Sequence, residues 1–168
     1  MNVAVRANCF DASALLKLYV PEEGSDILRE YWGREPTKFT TSLCFYETLS
    51  LLKVCHFYRK TIDLETYKKA TLNLCSWFAT VSERIRELPF LSPEVFFGAQ
   101  KIAELHRLDL SDAFQLLSLK EGFFSRMSGE SKTILVTADK KLANAARAEG
   151  LRVWNLLEEP IPIDRTET

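Results

Sequence analysis

Apolar positions along the chain alternate between short unbroken runs and longer stretches with helical spacing. The first extended stretch falls within 3–10, with Asn8-Cys9-Phe10 at its core, and stops abruptly at Asp11. ASALLKLY then has helical spacing, and Pro21 and Gly24 separate it from a second helix over 25–32. Pro36 precedes a β-prone piece at 38–41. Ser42 is a candidate cap for a long helix to about residue 58, and Asp63 for another to about residue 81. The short apolar piece 87–91 reads as a strand. Pro93 suits a first helical turn, and the spacing after it predicts a helix to about residue 106. Residues 111–124 read as a helix and 126–132 as a polar loop. TILVT is a β-branched strand, a helix opened by Asp139 stops at Gly150, and LRVWNL is a last strand. Short strands separated by helices of this length predict a parallel sheet with crossover helices, an α/β sandwich. No repeat, low-complexity block or linker divides it, so the expectation is one domain over 1–158 and a C-terminal tail over 159–168.

Composition narrows the class. The 168 residues suit one domain, and 46% apolar with 27% charged residues is a globular balance that excludes a disordered chain. Lys and Arg total 22 against 23 Asp and Glu, so nucleic-acid contact needs a local basic face. The longest uncharged run, 70–82, is shorter than the ~18 apolar residues of a spanning helix, and the N-terminus lacks the layout of a secretory signal. The expectation is a soluble, cytoplasmic protein that does not contact a membrane. Cys9, Cys44, Cys55 and Cys75 form no C-x-x-C pair and no zinc-like pattern with His56 and His106, and read as buried structural thiols. The aromatics Trp32, Trp77, Phe96, Phe97, Phe123 and Phe124 read mainly as packing residues.

Candidate chemistry lies in the acids. Sites in such folds gather at the carboxyl ends of the strands, and Asp11 and Asp139 each follow a strand there. Each also has a plain reading as a helix N-cap. Glu47 and Lys53 are the only formal charges in SLCFYETLSLLKVCHFY, and Glu47 shares a face with Leu43 and Leu51. A carboxylate on a buried face needs a cation or donors; the choice is an ion pair or a metal. Asp112 is the only charge between Asp109 and Lys120, in the first turn of an apolar helix, where a helix-dipole role competes with chemistry. Asp109 competes for the role, but belongs to the loop before the helix. Four gathered acids would repel one another unless a counter-charge joined them. Mg²⁺ or Mn²⁺ is the fitting cation, because hard ions take oxygen ligands and zinc would want His or Cys. An acid-lined metal site at a sheet edge suits phosphodiester cleavage.

FDASALLKLYVPEEGSD, TTSLCFYETL, LDLSDAFQLLSL and ILVTADKKLANAARAEGLRVWNL, in that order, resemble the PIN-domain nucleases, particularly the VapC-like toxins of type II toxin–antitoxin systems. The resemblance runs from about residue 9 to residue 156. It implies a PIN-like three-layer sandwich, a central parallel sheet flanked by helices. It also implies an endoribonuclease with Asp11, Glu47, Asp112 and Asp139 as both catalytic and metal residues, and Ser13 and Thr137 as supporting hydroxyls. The implied cofactor is Mg²⁺ or Mn²⁺, the substrate RNA, and the partners a second copy of the chain and a cognate antitoxin. The chain departs from the compact toxins in extra helical material over about 59–106, and its TADKKLANAA pattern is shared with many PIN proteins beyond the established toxins. A silent PIN-fold module that binds nucleic acid or protein is the main alternative. A phosphoryl-handling fold of the response-regulator or haloacid-dehalogenase type fits less well, because Ser13 stands where D-x-D needs an acid and Glu47 lies inside a helix.

Overall fold

The computed structural model describes residues 7–35, 37–83, 87–126 and 133–162. A four-stranded, all-parallel sheet lies at its centre in the order β2-β1-β3-β4. Its strands are β1 (Ala7–Phe10), β2 (Thr37–Phe39), β3 (Ile134–Thr137) and β4 (Arg152–Asn155). Every residue of β1 and β3 is buried, as central strands of a parallel sheet covered on both faces must be. Pleating sends alternate residues to opposite faces. Cys9 lies in register with Phe39 and Leu135, and Leu135 with Val153. This row packs against α5 (Pro93–His106), α6 (Leu110–Glu121) and α8 (Lys140–Ala148). Phe10, Val136 and Trp154 form the next row and pack against α1 (Ala12–Tyr19) and α2 (Ser25–Arg34). The result is a three-layer α/β sandwich.

Helix α3 (Ser42–Lys53) runs on into a π-helical turn at Val54–Tyr58, and α4 (Leu64–Ser82) packs back along it. Leu52, Cys55, Ile62 and Leu74 make a third, satellite cluster there with Leu16 of α1. The helix expected over 42–58 is thus α-helical only to Lys53. Asp63 caps α4 as expected, its carboxylate accepting the Thr66 N–H at 2.7 Å. The cap of α3 is Thr41 rather than Ser42: the Thr41 hydroxyl accepts the Cys44 N–H at 3.3 Å, while the Ser42 N–H and hydroxyl both go to Glu87.

The expected strand at 87–91 is absent from the described sheet. Pro89 has no N–H to give a ladder, and its carbonyl instead accepts the Ser92 N–H at 2.8 Å in a turn. The helix expected over 111–124 breaks at Gly122, whose backbone is extended, and resumes as the short α7 (Phe123–Arg126). Phe124 then stacks on Phe39 with ring centroids 4.3 Å apart. Packing accounts for Trp32, Trp77 and Phe124, but Phe96, Phe97 and Phe123 are exposed. Phe96 and Phe97 line an apolar groove of about 430 Å³ with Leu43, Phe90 and Leu110. The expected strand residues 3–6, the loop residues 127–132 and 163–168 of the expected tail lie outside the described residues. Beyond residue 158, Glu159 pairs with Arg147, and Ile161 packs on the Phe10–Trp154 cluster. No described helix is long and apolar enough to cross a membrane. All four cysteines are free thiols, three of them buried.

Candidate functional site

Strands β1 and β3 are neighbours, yet the helices that follow them leave to opposite faces, α1 to one and α8 to the other. In a parallel sheet this is the switch point, where a crevice opens beyond the strand ends. Asp11 and Asp139 flank it. The Asp11 N–H donates to the Val136 carbonyl at 3.1 Å, which holds the end of β1 against β3.

The capping reading of both residues is correct, and it explains their placement. One oxygen of Asp11 accepts the Ala14 N–H at 2.9 Å, and one oxygen of Asp139 accepts the N–H groups of Lys141 and Leu142 at 2.7 and 3.0 Å. Capping anchors each carboxylate without using all its lone pairs. Ser13 and Thr137 stitch the two junctions together. The Ser13 hydroxyl accepts the Ala138 N–H at 2.9 Å and donates to Asp11 at 2.9 Å. The Thr137 hydroxyl accepts the Asp139 N–H at 2.9 Å and donates to Asp11 at 2.8 Å. Asp11 is therefore buried, at 3% exposure, with three donors fixing its orientation.

Glu47 and Asp112 arrive from the helices. Helix α3 packs against both α1 and α6, and Glu47 accepts a hydrogen bond from the Ser111 hydroxyl at 3.1 Å. The ion-pair alternative for Glu47 is not realised among the described residues. Its face is only half-buried together with Leu43 and Leu51; the buried side of α3 carries Cys44, Phe45, Thr48 and Leu52. Asp109 occupies the N-cap position of α6 without a side-chain cap bond, while Asp112 lies in the first turn, half-buried.

Electrostatics tie the four together. Burial, partly offset by the Ala14, Thr137 and Ser13 donors, pushes the Asp11 carboxyl up to about 6, and nearby Asp139 adds to the rise. Burial pushes Asp112 up to about 7, and Asp11, Glu47, Asp139 and Asp109 all add to it. No cation is among the groups acting on either carboxyl. Three basic residues near the acidic motifs are engaged elsewhere, while Arg107 is exposed. Lys17 pairs with Glu22 at 2.8 Å, Lys140 with Glu158 at 2.7 Å, and Lys141 donates to the Arg107 carbonyl.

Two residues of the site escape a sequence reading. Ser111 orients Glu47, and Gln115, one turn beyond Asp112, is fully buried. The Gln115 amide donates to the Phe10 carbonyl at 3.2 Å and approaches the Cys9 sulfur at 3.3 Å, bracing α6 against the end of β1. A lone amide inside the apolar run FQLLSL was the available signal. Its Oε1 has no partner.

An all-oxygen set of carboxylates and hydroxyls, with no counter-charge among the described residues, suits a hard divalent cation. No three His, Cys, Asp or Glu side chains among the described residues stand close enough to ligate one ion together. Mg²⁺ is usually held by only one or two direct carboxylates with retained water, and Asp139 keeps one oxygen outside its cap for such a contact.

The PIN domain family model matches residues 9–148. No curated protein matches the chain. Among solved structures, the chain is similar to the "Crystal structure of PAE2754 from Pyrobaculum aerophilum" at 18% identity, with a TM-score of 0.56 over 88% of this chain and 90% of that one. At that identity the likeness speaks for the fold alone.

Proposed function

The chain belongs to the PIN domain family, and from that premise we propose that it is a metal-dependent endoribonuclease hydrolysing RNA phosphodiester bonds at Asp11, Glu47, Asp112 and Asp139. PIN domains are generally nucleases that use divalent metal ions. The observation that carries the finer reading is the crevice at the strand ends, where Ser13 and Thr137 tie the Asp11 and Asp139 junctions together and Asp112 is raised by burial and four other carboxylates, with no cation acting on it among the described residues.

Each residue has a part that follows from its contacts. Asp11, clamped by Ala14, Ser13 and Thr137, offers a carboxylate of fixed orientation at the strand edge. Asp139 keeps one oxygen in its cap and has the other for a ligand or a bridging water. Asp112, whose carboxyl is pushed up to about 7 by burial and the neighbouring carboxylates, gains most from an added cation, which would take the place of its proton. Glu47, steadied by Ser111, adds negative charge that offsets a cation. A bound Mg²⁺ or Mn²⁺ supplies Lewis-acid polarisation of a phosphoryl oxygen and acidifies a water.

The VapC-like motif order supports a toxin role, in which a second copy of this chain and a cognate antitoxin are the partners and the cytoplasm is the site of action. The silent-module alternative draws on the same side chains, because among the described residues no three acids converge closely enough to grip an ion directly. Incubation of the purified protein with RNA in Mg²⁺, Mn²⁺ or EDTA separates the two. Cleavage with either metal and none in EDTA is expected; RNA left intact in all three, by protein that melts cooperatively, removes the nuclease reading.

A further inference from the structure

Six cations among the described residues are held in ion pairs: Lys17, Arg29, Arg34, Lys120, Lys140 and Arg147. Lys53, Arg59, Lys60, Lys68 and Lys69 are exposed and form no ion pair among the described residues, as is also true of Lys101, Arg107, Lys141 and Arg152. The first five crowd into 53–69, which carries only two acids, Asp63 and Glu65, in a chain whose overall charge is −1.

Exposed aromatics are interleaved with them. Tyr58 is 74% exposed and Phe57 48%. The π-helical turn Val54–Tyr58 presents them, closed by the Arg59 N–H donating to the Val54 carbonyl at 2.9 Å. Lys60 follows with φ of 57°, a left-handed conformation that a lysine adopts only at a cost. The base of the turn is firmly held. Cys55 and Ile62 are buried, His56 stacks on Tyr67 at 5.2 Å, and its Nδ1 meets the Ile62 carbonyl at 3.0 Å. Wide π turns of this kind recur at functional sites.

A path connects this patch to the acids. Tyr46, Ser50, Lys53 and Phe57 form an exposed stripe at helical spacing along α3 and its extension, and Tyr46 is the neighbour of Glu47. At 1.5 Å per residue, Lys53 lies about 9 Å along the axis from Glu47. Unpaired cations alternating with exposed rings match what a single nucleic-acid strand needs, phosphate neutralisation and stacking faces for bases.

We infer that the stripe from Tyr46 through Lys53 to Tyr58, Arg59 and Lys60 is an exosite that binds single-stranded RNA and feeds it to the acidic site. The inference rests on the nuclease reading for its purpose but not for its test. Binding of a fluorescent 12-nucleotide single-stranded RNA is followed by anisotropy in EDTA, so that no cleavage intervenes. The Lys53→Glu/Arg59→Glu protein should bind about tenfold or more weakly, with a salt slope shallower by about 1.4. Tyr58→Ala should weaken binding about tenfold through lost stacking. Glu149→Gln, whose carboxylate is paired with His106 and Lys120, should bind as the wild type does. In Mn²⁺, the exosite variants should raise KM for the same RNA and leave kcat in place. Wild type that binds RNA through the stripe but cleaves none overturns the nuclease reading and leaves the exosite standing. Wild-type affinity in the charge-reversed protein overturns the exosite, as does wild type that binds no RNA. Competition by polyglutamate as effective as by RNA overturns it too, and marks a surface for an acidic protein.

Discussion

Helices α6 and α8 each carry charge at both ends, and the two ends are treated in opposite ways. At their N-terminal ends stand Asp112 and Asp139, and burial with the neighbouring carboxylates raises the proton affinity of Asp112. Lys120 stands in the last turn of α6, and just beyond the end of α8 Glu149 accepts from it and from His106, the latter at 2.6 Å. Those two partners hold the Glu149 carboxyl below its usual range. One carboxylate has its counter-charges built in, whereas the four at the crevice have none among the described residues. That leaves the crevice at the strand ends with the arrangement an incoming cation requires.

The comparison breaks first on activity. Asp11→Asn keeps the shape of the side chain, and asparagine is a good N-cap for α1, so folding should survive. Cleavage of RNA should fall by at least about a hundredfold, because a loss of several kcal/mol of transition-state stabilisation is involved. Glu149→Gln should leave cleavage within about twofold. Rates measured on matched preparations, with melting curves for both variants, check this pair.

The two regions should also differ in sign against pH. Asp11 and Asp112 have folded pKa values raised to about 6 and about 7, so the folded state binds more protons than the unfolded chain between about pH 4 and 7. Their contribution is fully present below the unfolded pKa of about 4 and is lost as pH rises through 6 and 7. Glu149 is lowered, so its contribution is present above its unfolded pKa and is lost as pH falls through the folded value. Denaturant melts in EDTA should show Glu149→Gln destabilised at neutral pH by about 1 kcal/mol, with the gap closing in acid. A gap that widens in acid would contradict the assignment.

A smaller effect is expected at Glu47. Replacement by Gln removes one repelling charge and retains an acceptor for the Ser111 hydroxyl. In EDTA the variant should be more stable by about 0.5 kcal/mol, of the order of one partly screened charge pair. Strong destabilisation would mean that Glu47 has a structural role.

Much of this was legible because local chemistry and global placement coincide. Asp11 and Asp139 end strands and cap helices, and the same junction that makes an aspartate a cap places it at the carboxyl edge. The continuous apolar run of TILVT, buried on both faces, has only one reading in a parallel sheet. What was not legible depends on distant partners. Ser42 looked like the cap of α3, but Glu87, 45 residues away, takes both its N–H and its hydroxyl and leaves the capping to Thr41. The apolar piece around Pro89 has the composition of a strand and no sheet partner. Gln115 and Ser111 are ordinary polar residues until the fold sets them against Phe10 and Glu47. Exposure at Phe96 and Phe97 likewise follows from which face of α5 meets the sheet, which helical spacing alone leaves open.

Calorimetric titration of Mn²⁺ into the EDTA-stripped, dialysed protein at pH 6.5, repeated in two buffers of different ionisation enthalpy, tests the central claim most directly. The account predicts one saturable binding event that releases protons, because an ion at the crevice displaces the proton held near Asp112. Asp112→Asn should bind the ion at least about tenfold more weakly and lose most of the proton release, while Glu149→Gln should match the wild type. Binding of equal strength by Asp112→Asn and wild type, or no binding by the wild type, would contradict it.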